Sequence, residues 1–419
     1  MRFRRIQSFQ VKWAGHDEVG LALSLSGPYP SQQPRTGLAG PPRHARLTAS
    51  RRVQLIMAPR LAIDRHTLRM IAISFVLLSA LTIHRLWFAD DPNAPDVLVI
   101  QGETMGTTYE IRIAGEGLDE RLRLTVEQTA TKRLAEVDGW MSNWNPESDV
   151  SRFNAARTTD GFPVSYETAA ITAYAVELSK WSTGAFDISV GPLVRLWGFG
   201  YHARIGETPT TEEISDAMSR MGARRLRVGR GAPNTNGFLR KSDPALEIDL
   251  SAIAKGFGVD HVSDGLFKLE RFDFLVEIGG EVYAAGERPG GGPWRLAIEK
   301  PTDLEFEGRV VQSIVELQDQ AMATSGDYRI FYTEDERRIS HTIDPRTGYP
   351  VENGPASATV IAGSATEADA WATTLMVLGD PEGLALAEEW EIAAMLLVRG
   401  EDGELIVRRN SLFPETEIP

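Results

Sequence analysis

The stretch Ser364-Ala-Thr-Glu367-Ala-Asp369-Ala-Trp-Ala-Thr373-Thr-Leu predicts both a helix and a binding site. Ser364 followed three residues later by Glu367 is the pattern of a capping box, so a helix is expected to begin here. Asp369 and Thr373 lie four residues apart and therefore share one face of that helix. A carboxylate and a hydroxyl near a helix N-terminus, which favours phosphate, suit Mg²⁺ completed by substrate phosphates. An amphipathic helix with both side chains in solvent is the alternative on spacing alone.

The chain as a whole has the composition of an acidic globular protein. Its 419 residues are 42% hydrophobic and 24% charged, which is ample for a large core. The net charge of −14 argues against a general nucleic-acid binder, which needs a basic surface. There are no cysteines, and this excludes disulfides, thiolate metal sites, cysteine nucleophiles and lipid anchors built on cysteine.

The N-terminal part reads as two segments that precede the folded protein. Residues 1–56 are predicted to be a disordered or non-native extension, because no apolar period persists among their Arg, Gly, Pro and Ser residues. Residues 57–89 are predicted to be an export signal or membrane anchor, because three arginines precede the apolar run at residues 70–83. No small-x-small cleavage pattern follows, which favours an uncleaved anchor. The run is short of the roughly 20 apolar residues of a spanning helix. We hypothesise that Met57 is the true start, which a native peptide upstream of it would contradict.

The rest of the chain mixes helical and strand patterns without regular alternation. This mixture predicts an α+β fold with mixed, largely antiparallel sheets flanked by helices. The apolar periodicities and breakers predict strands at 97–100, 109–113, 247–250, most of 272–363, and a hairpin of 392–398 with 405–408; helices at 118–141, 165–182, 210–222, around Lys255 and at 381–390; and a polar loop at 143–154.

Two glycine-containing segments are candidates for ligand contact. Residues 183–192 permit close approach of a flat ligand, with Phe186 or Trp197 as stacking surfaces, although a tight turn with core aromatics is the better reading on its own. Lys255 follows Asp249-Leu-Ser251-Ala252 near a helix start, where a lysine can contact phosphate and exposed backbone can offer a carbonyl to a metal. A surface lysine is the alternative. The spacing matches neither a P-loop nor a dinucleotide-binding fingerprint.

His341 is the candidate proton acceptor. It stands at a predicted strand end in Ser340-His341-Thr-Ile-Asp344-Pro345, and an imidazole can take a proton from a hydroxyl near neutral pH. A structural histidine in a hairpin is the alternative. No His-Glu-x-x-His pattern exists, so a zinc hydrolase is not expected.

Taken together, these segments resemble the ApbE family, the FAD:protein FMN transferases. The matching motifs follow the family's order from about residue 97 to about residue 410, and so many in sequence are a specific signal. They are Met105-Gly-Thr-Thr-Tyr109, Asn145-Pro-Glu-Ser148-Asp-Val-Ser-Arg-Phe-Asn154, Thr183-Gly-Ala-Phe-Asp187, Leu196-Trp-Gly-Phe199, Glu247-Ile-Asp-Leu250, Ala254-Lys-Gly256, Ile278-Gly-Gly-Glu281, Thr324-Ser-Gly-Asp327, Ser340-His-Thr-Ile-Asp-Pro-Arg-Thr-Gly348 and Glu367-Ala-Asp369-Ala-Trp-Ala-Thr-Thr374.

The resemblance implies an ApbE-like (T-fold-like) catalytic domain over residues 90–419 and a defined reaction. FAD would be cut at its pyrophosphate, FMN would join a Thr or Ser of an acceptor protein, and AMP would leave. The family pattern implies FAD contacts at Met105, Ala185, Phe186, Asp187, Asp249, Lys255 and Ile343, Mg²⁺ held by Asp369, Thr373 and the carbonyl of Ala252, and His341 as the base.

The resemblance also implies a location and partners. Acceptors would be flavoproteins of exported or membrane redox complexes, reached from the periplasm or the periplasmic face of the cytoplasmic membrane. Many relatives carry a lipid on a Cys that this chain lacks, so any anchoring must come from the apolar run. Residues 201–243 match no motif and are expected to shape acceptor choice. A Mg²⁺-dependent FAD pyrophosphatase remains open, as does a non-catalytic flavin binder, although a base and metal pair speaks against the binder.

Overall fold

The computed structural model describes residues 97–201, 208–229, 231, 235–301, 310–328, 330–334, 337–352, 354–400, 402 and 404–417. The predicted extension at 1–56, the predicted anchor at 57–89 and the hypothesised start at Met57 lie outside these residues. Among the helices that the structure describes, none is long and apolar enough to cross a membrane.

Eight of the described strands form one central sheet. Their order is β1-β2-β6-β7-β10-β13-β14-β15, and every neighbouring pair is antiparallel. Smaller sheets pair β3-β5-β4, β8-β9 and β11-β12. The strands are β1 Val97–Thr104, β2 Thr107–Ala114, β3 Phe162–Val164, β4 Leu226–Gly229, β5 Gly237–Lys241, β6 Phe274–Ile278, β7 Glu281–Ala285, β8 Trp294–Glu299, β9 Val311–Leu317, β10 Gln320–Gly326, β11 Phe331–Glu334, β12 Arg337–Ser340, β13 Ser357–Ala362, β14 Ala393–Arg399 and β15 Leu405–Arg409.

Helices cover one face of this sheet, and the β8-β9 hairpin packs on the other. Strand alternation assigns the two faces: Val276 lies in the main core with the helices, whereas its neighbour Leu275 lies in a second cluster with Trp294 and Phe413. The helices are α1 Glu120–Met141, α2 Asp149–Ala155, α3 Tyr166–Trp181, α4 Gly191–Leu196, α5 Thr211–Ser219, α6 Ser251–Lys268, α7 Ala365–Leu378 and α8 Glu382–Glu389, with a 3-10 turn at Ala223–Arg225.

The turn between β1 and β2 places Met105 against α6. Thr104 pairs with Thr107, so Met105 and Gly106 are the two turn residues, with φ of +49° and +73°. Two-residue hairpins favour such left-handed backbone, which is unusual for a methionine. A Cβ built on Gly258 would lie 3.0 Å from Met105 Cε. Because Gly258 has no side chain, the Met105 side chain can pack directly on α6.

Helices α6 and α7 meet at Gly256. A Cβ added there would lie 2.1 Å from the Ala365 carbonyl oxygen and 2.8 Å from Asp369 Cβ, so only glycine permits this approach. Trp371 of α7 is fully buried in the main core, which holds the helix against the sheet. The close contact brings the predicted metal-binding helix next to the lysine-bearing one.

The predicted α+β architecture is confirmed, with two local corrections. The predicted loop at 143–154 contains α2, which begins because Ser148 Oγ accepts a hydrogen bond from the Ser151 N–H at 3.0 Å. The predicted strand at 247–250 is wrong. There the Ile248 N–H donates to Asn154 Oδ1 at 2.8 Å and Asn154 Nδ2 donates to the Ile248 carbonyl at 2.8 Å, so a side chain replaces a partner strand.

Candidate active site

The N-terminus of α7 is closed by the protein's own groups. Ser364 Oγ accepts from the Glu367 N–H at 3.2 Å, and the Ala368 N–H donates to the Ser364 carbonyl. Asp260 of α6 accepts from the N–H groups of Ala365 at 2.8 Å and Thr366 at 2.9 Å. The open amides of the first three helical residues are therefore already hydrogen-bonded within the protein. The helix was predicted correctly, and the amides of its first turn, which the sequence reading expected to favour phosphate, have partners within the protein.

Burial raises the pKa of Asp260 to about 6, against the opposing effect of its hydrogen bonds from Thr366 and Ala365. The carboxylate joins α6 to α7 near the point where the two helices touch.

Asp369 lies at this contact with two different environments for its two oxygens. The residue is 1% exposed, and its Oδ2 accepts a hydrogen bond from the Gly256 N–H at 2.9 Å. That N–H is the one an α-helix would direct at the Ala252 carbonyl, so the two oxygens compete for it. Asp369 Oδ1 faces Lys255, with Nζ at 3.5 Å.

Lys255 lies between Asp369 and a second buried carboxylate, Glu281. Its Nζ is 2.6 Å from Glu281 Oε1. Burial alone would lower the pKa of Lys255, but Asp369 and Glu281 outweigh it and raise the pKa to about 12. Lys255 is therefore an ammonium at physiological pH. Burial raises the pKa of Glu281 despite the opposing charge of Lys255.

Thr373 and Ser325 extend this polar cluster along α7 and β10. Thr373 Oγ1 lies 3.4 Å from Ser325 Oγ, and it stands one turn after Asp369 on the same helix face. Asp369 Oδ1, Thr373 Oγ1 and the Ala252 carbonyl are all hard oxygen donors, the type that Mg²⁺ prefers. The part of the chain that the structure describes contains no group of three or more His, Asp or Glu able to hold a metal by themselves. A metal here would need the hydroxyl, the carbonyl and a ligand's oxygens.

His341 has a defined tautomer in this structure. Its Nδ1 lies 3.0 Å from the Ile330 carbonyl oxygen, which can only accept, so Nδ1 carries the hydrogen. Burial lowers the pKa of His341 and outweighs the hydrogen bond to Ile330 and the charge of Asp327, which both raise it, while the charge of Lys255 lowers it further. The neutral imidazole therefore presents an unprotonated Nε2, as a general base requires. The Phe199 ring meets the imidazole edge-on, with centroids 6.3 Å apart.

The glycine-rich loop at 183–192 holds its candidate residues mainly through internal bonds. The Asp187 carboxylate accepts from the Ser189 N–H at 2.8 Å and the Ala223 N–H at 3.0 Å, which ties the loop to the 3-10 turn. Ala185 and Phe186 are each 2% exposed, and Trp197 donates its Nε1–H to the Gly348 carbonyl at 2.8 Å. Neither aromatic ring has a free face for stacking, so the tight turn with core aromatics describes this segment.

Most of the predicted residues fall into two groups that meet at the start of α6. Met105, Ala252, Lys255, Asp369 and Thr373 lie around the α6–α7 contact. The loop residues join them because the Asp249 N–H donates to the Ile188 carbonyl at 2.6 Å, and Asp249 Oδ1 accepts from the Ser251 N–H at 2.9 Å.

The remaining two predicted residues lie on the segment after β12. Ile343 is buried in a small cluster with Trp197 and Phe199, and it forms an isolated bridge with Pro350. His341, on the same segment, lies close enough to Lys255 for the lysine charge to lower the pKa of the imidazole. The roles of all these residues toward FAD remain predictions.

Several residues of the site carried no role in the sequence reading. Glu281 is one of them, although a polar residue opening the otherwise apolar strand β7, directly after Gly-Gly, was an available signal. Asp260 and Ser325 gave no comparable signal, because only the fold brings them to α7.

Comparison with known proteins gives one consistent result. The model of the ApbE family matches residues 105–396. The FAD:protein FMN transferase of Vibrio cholerae is 42% identical over 305 residues, covering 73% of this chain and 88% of that protein. The FAD:protein FMN transferase of Haemophilus influenzae is 37% identical over 318 residues, covering 76% and 90%. The solved structure of the flavin transferase ApbE from Vibrio cholerae superposes with a TM-score of 0.68 at 39% identity, covering 76% of this chain and 98% of that one.

Proposed function

Because this chain belongs to the ApbE family and is a flavin transferase, we propose that it moves FMN from FAD to a Thr or Ser hydroxyl of an acceptor flavoprotein with the help of Mg²⁺. The observation that carries the proposal is the meeting of Lys255 with Asp369 at the α6–α7 contact, where Nζ and Oδ1 are 3.5 Å apart. This contact supports the proposal, because an ammonium that can bind phosphate stands beside a carboxylate oxygen that can bind a metal. Phosphoryl transfer needs mostly such positioning and charge stabilisation.

The bonds and the proton of the proposed reaction balance without a further reactant. The acceptor hydroxyl oxygen bonds to the phosphorus of the FMN half, the bond from that phosphorus to the bridging oxygen breaks, and AMP leaves. The hydroxyl proton goes to Nε2 of His341. The Nδ1–H···O=C bond to Ile330 supports this role, because it places the hydrogen of the neutral ring on Nδ1, which leaves Nε2 as the basic atom, and it fixes the ring.

The residues present fit a magnesium ion. The Gly256 N–H holds Asp369 through Oδ2, which orients Oδ1 away from it, and Thr373 Oγ1 and the Ala252 carbonyl supply further hard oxygens. When bound, Mg²⁺ would neutralise charge on the pyrophosphate oxygens. Lys255 would add a second positive charge beside the phosphates, and its raised pKa keeps that charge in place.

The proposed location is the periplasm or the periplasmic face of the cytoplasmic membrane, reached through residues 57–89. The basic lead-in and the apolar run of that segment support export. Acceptors would then be exported flavoproteins or domains of membrane redox complexes. Fractionation of cells making the full chain and a chain lacking residues 57–89 tests this. Equal cytoplasmic recovery of both would contradict it.

The decisive experiment incubates the full chain with FAD, Mg²⁺ and an acceptor flavoprotein domain that has an exposed threonine. Intact acceptor mass, free FMN and AMP are measured together. A mass gain equal to one FMN phosphoester, lost in the Asp369→Ala variant, is the expected result. Free FMN and AMP with an unmodified acceptor would replace the proposal by FAD hydrolysis, and unchanged bound FAD would replace it by flavin binding alone.

A further inference from the structure

We propose that Glu281 is a positioning residue that holds Lys255 in place while Asp369 is engaged by the metal. This inference rests on the function proposed above. Three ionisable groups, two carboxylates and one ammonium, stand in contact at the α6–α7 junction. Their distances decide which carboxylate the lysine depends on.

Lys255 is bound more tightly to Glu281 than to Asp369. The Nζ–Oε1 distance of 2.6 Å is that of a charge-assisted hydrogen bond, whereas the 3.5 Å to Asp369 Oδ1 is too long for one. Asp369 Oδ1 is also the oxygen that would face a metal, since Oδ2 is held by the Gly256 N–H. Metal binding at Asp369 would therefore leave the Glu281 contact as the anchor of Lys255.

The turn before β7 builds this anchor into the sheet. Ile278 pairs with Glu281, so Gly279 and Gly280 are the two turn residues, with φ of +63° and +109°. Such a hairpin admits glycine far more readily than other residues. A Cβ on Gly279 would lie 3.4 Å from Lys255 Cδ. The turn thus packs against the aliphatic part of the Lys255 side chain, while Glu281, the residue after the turn, binds the ammonium group.

The environment of Glu281 argues against a purely structural role. The residue is 2% exposed, and its Oε2 is buried with no hydrogen-bond partner among the described residues. A buried carboxylate with one unpaired oxygen is a poor way to stabilise a fold, because apolar replacement of buried ion pairs is often neutral or stabilising. Holding a catalytic-site cation at a fixed point is a function that justifies this cost.

The mechanism makes an uncommon prediction about metal affinity. Without the Glu281 charge, Lys255 would turn to Asp369 as its remaining carboxylate and compete with the metal for it. Removing the competing ammonium as well would release Asp369 again. Loss of Glu281 should therefore weaken metal binding, and additional loss of Lys255 should restore it.

The test is Mg²⁺ binding by isothermal titration calorimetry with the full chain saturated with FAD, which supplies the phosphate oxygens, and with no acceptor present. We expect Glu281→Gln to weaken Mg²⁺ binding about 10-fold, as outer-shell substitutions commonly do. The double variant Glu281→Gln/Lys255→Met should return to within about 3-fold of the parent. Glu316→Gln, the same change at an exposed position of β9, should leave the affinity unchanged.

A second variant separates position from charge and remains informative if Glu281→Gln does not fold. Glu281→Asp keeps the charge but withdraws the carboxylate by one methylene. It should bind Mg²⁺ like the parent, while kcat for FMN transfer falls about 10-fold or more with little change in KM for FAD. Parental kcat in Glu281→Asp overturns the inference, as does a double variant as weak as Glu281→Gln alone. Absence of Mg²⁺ binding by the parent would instead overturn the proposed function itself.

Discussion

The Gly256 N–H donates to Asp369 Oδ2 at 2.9 Å, and this hydrogen bond joins helix α6, which carries Lys255, to helix α7 at their closest approach. The bond exists only because residue 256 has no side chain: a Cβ would lie 2.1 Å from the Ala365 carbonyl oxygen. The relative positions of Asp369 on α7, Lys255 on α6 and Glu281 on β7 depend on this close approach of the two helices. The geometry of the site is therefore set by a helix–helix distance.

Gly256→Ala should destabilise the protein by about 2–4 kcal/mol, because α6 and α7 must move apart to admit the methyl group. Urea unfolding measures this. Gly139→Ala is a matched control in the interior of α1, where a Cβ meets nothing within 4 Å. Helix propensity alone should make that control more stable by up to about 1 kcal/mol. Equal effects of the two substitutions would show that the α6–α7 contact is not tight.

The pH dependence of transfer should report the ionisation of His341. Burial lowers its pKa from the ordinary histidine value, and the base must be neutral to accept the hydroxyl proton. Activity should therefore rise with pH along a limb whose midpoint lies below about 6.5, the ordinary value. The kcat–pH profile with saturating FAD and acceptor measures this midpoint.

His341→Ala is the companion variant for the pH profile. It should lower kcat about 10²- to 10⁴-fold and remove the acid limb, while FAD binding persists. A parental acid limb in His341→Ala would assign the ionisation to another group. Phe199→Leu is a suitable control, since Phe199 contacts the imidazole only edge-on and lies in a core cluster.

The sequence predicted what depends on neighbours along the chain. Ser364 and Glu367 located α7, and the spacing of Asp369 and Thr373 placed both on one helix face. What the sequence did not predict depends on distant residues: Asp260 binds amides at the N-terminus of α7, and the Asn154 side chain replaces the partner strand expected for residues 247–250. The contact of Glu281 with Lys255 likewise exists only because the fold brings β7 against α6. Local patterns contain no information about such approaches.

Asp260 should give the unfolding free energy a distinctive pH dependence. Burial raises its folded pKa to about 6, above the roughly 3.9 of an unfolded Asp, so the folded state binds more protons between these values. The stability contributed by this group is present below about pH 4 and is lost as pH rises to about 6. Asp260→Asn should remove that fall, so the difference between variant and parent should shift in favour of the variant across pH 4–6. A constant difference across that range would contradict the raised pKa.

Thr373 and Thr374 offer a matched pair for testing the proposed metal site. Thr373 Oγ1 faces the polar cluster, 3.4 Å from Ser325 Oγ, whereas Thr374 Oγ1 donates to the Ala370 carbonyl at 2.8 Å within the helix. Thr373→Val keeps the shape of the side chain but removes a hard oxygen ligand. It should raise the Mg²⁺ concentration for half-maximal transfer about 10-fold or more. Thr374→Val should leave that concentration unchanged and lower stability by about 1 kcal/mol for the lost hydrogen bond. If both variants keep the parental Mg²⁺ requirement, the Thr373 hydroxyl is not a ligand, and the metal must be held by Asp369 with backbone and phosphate oxygens alone.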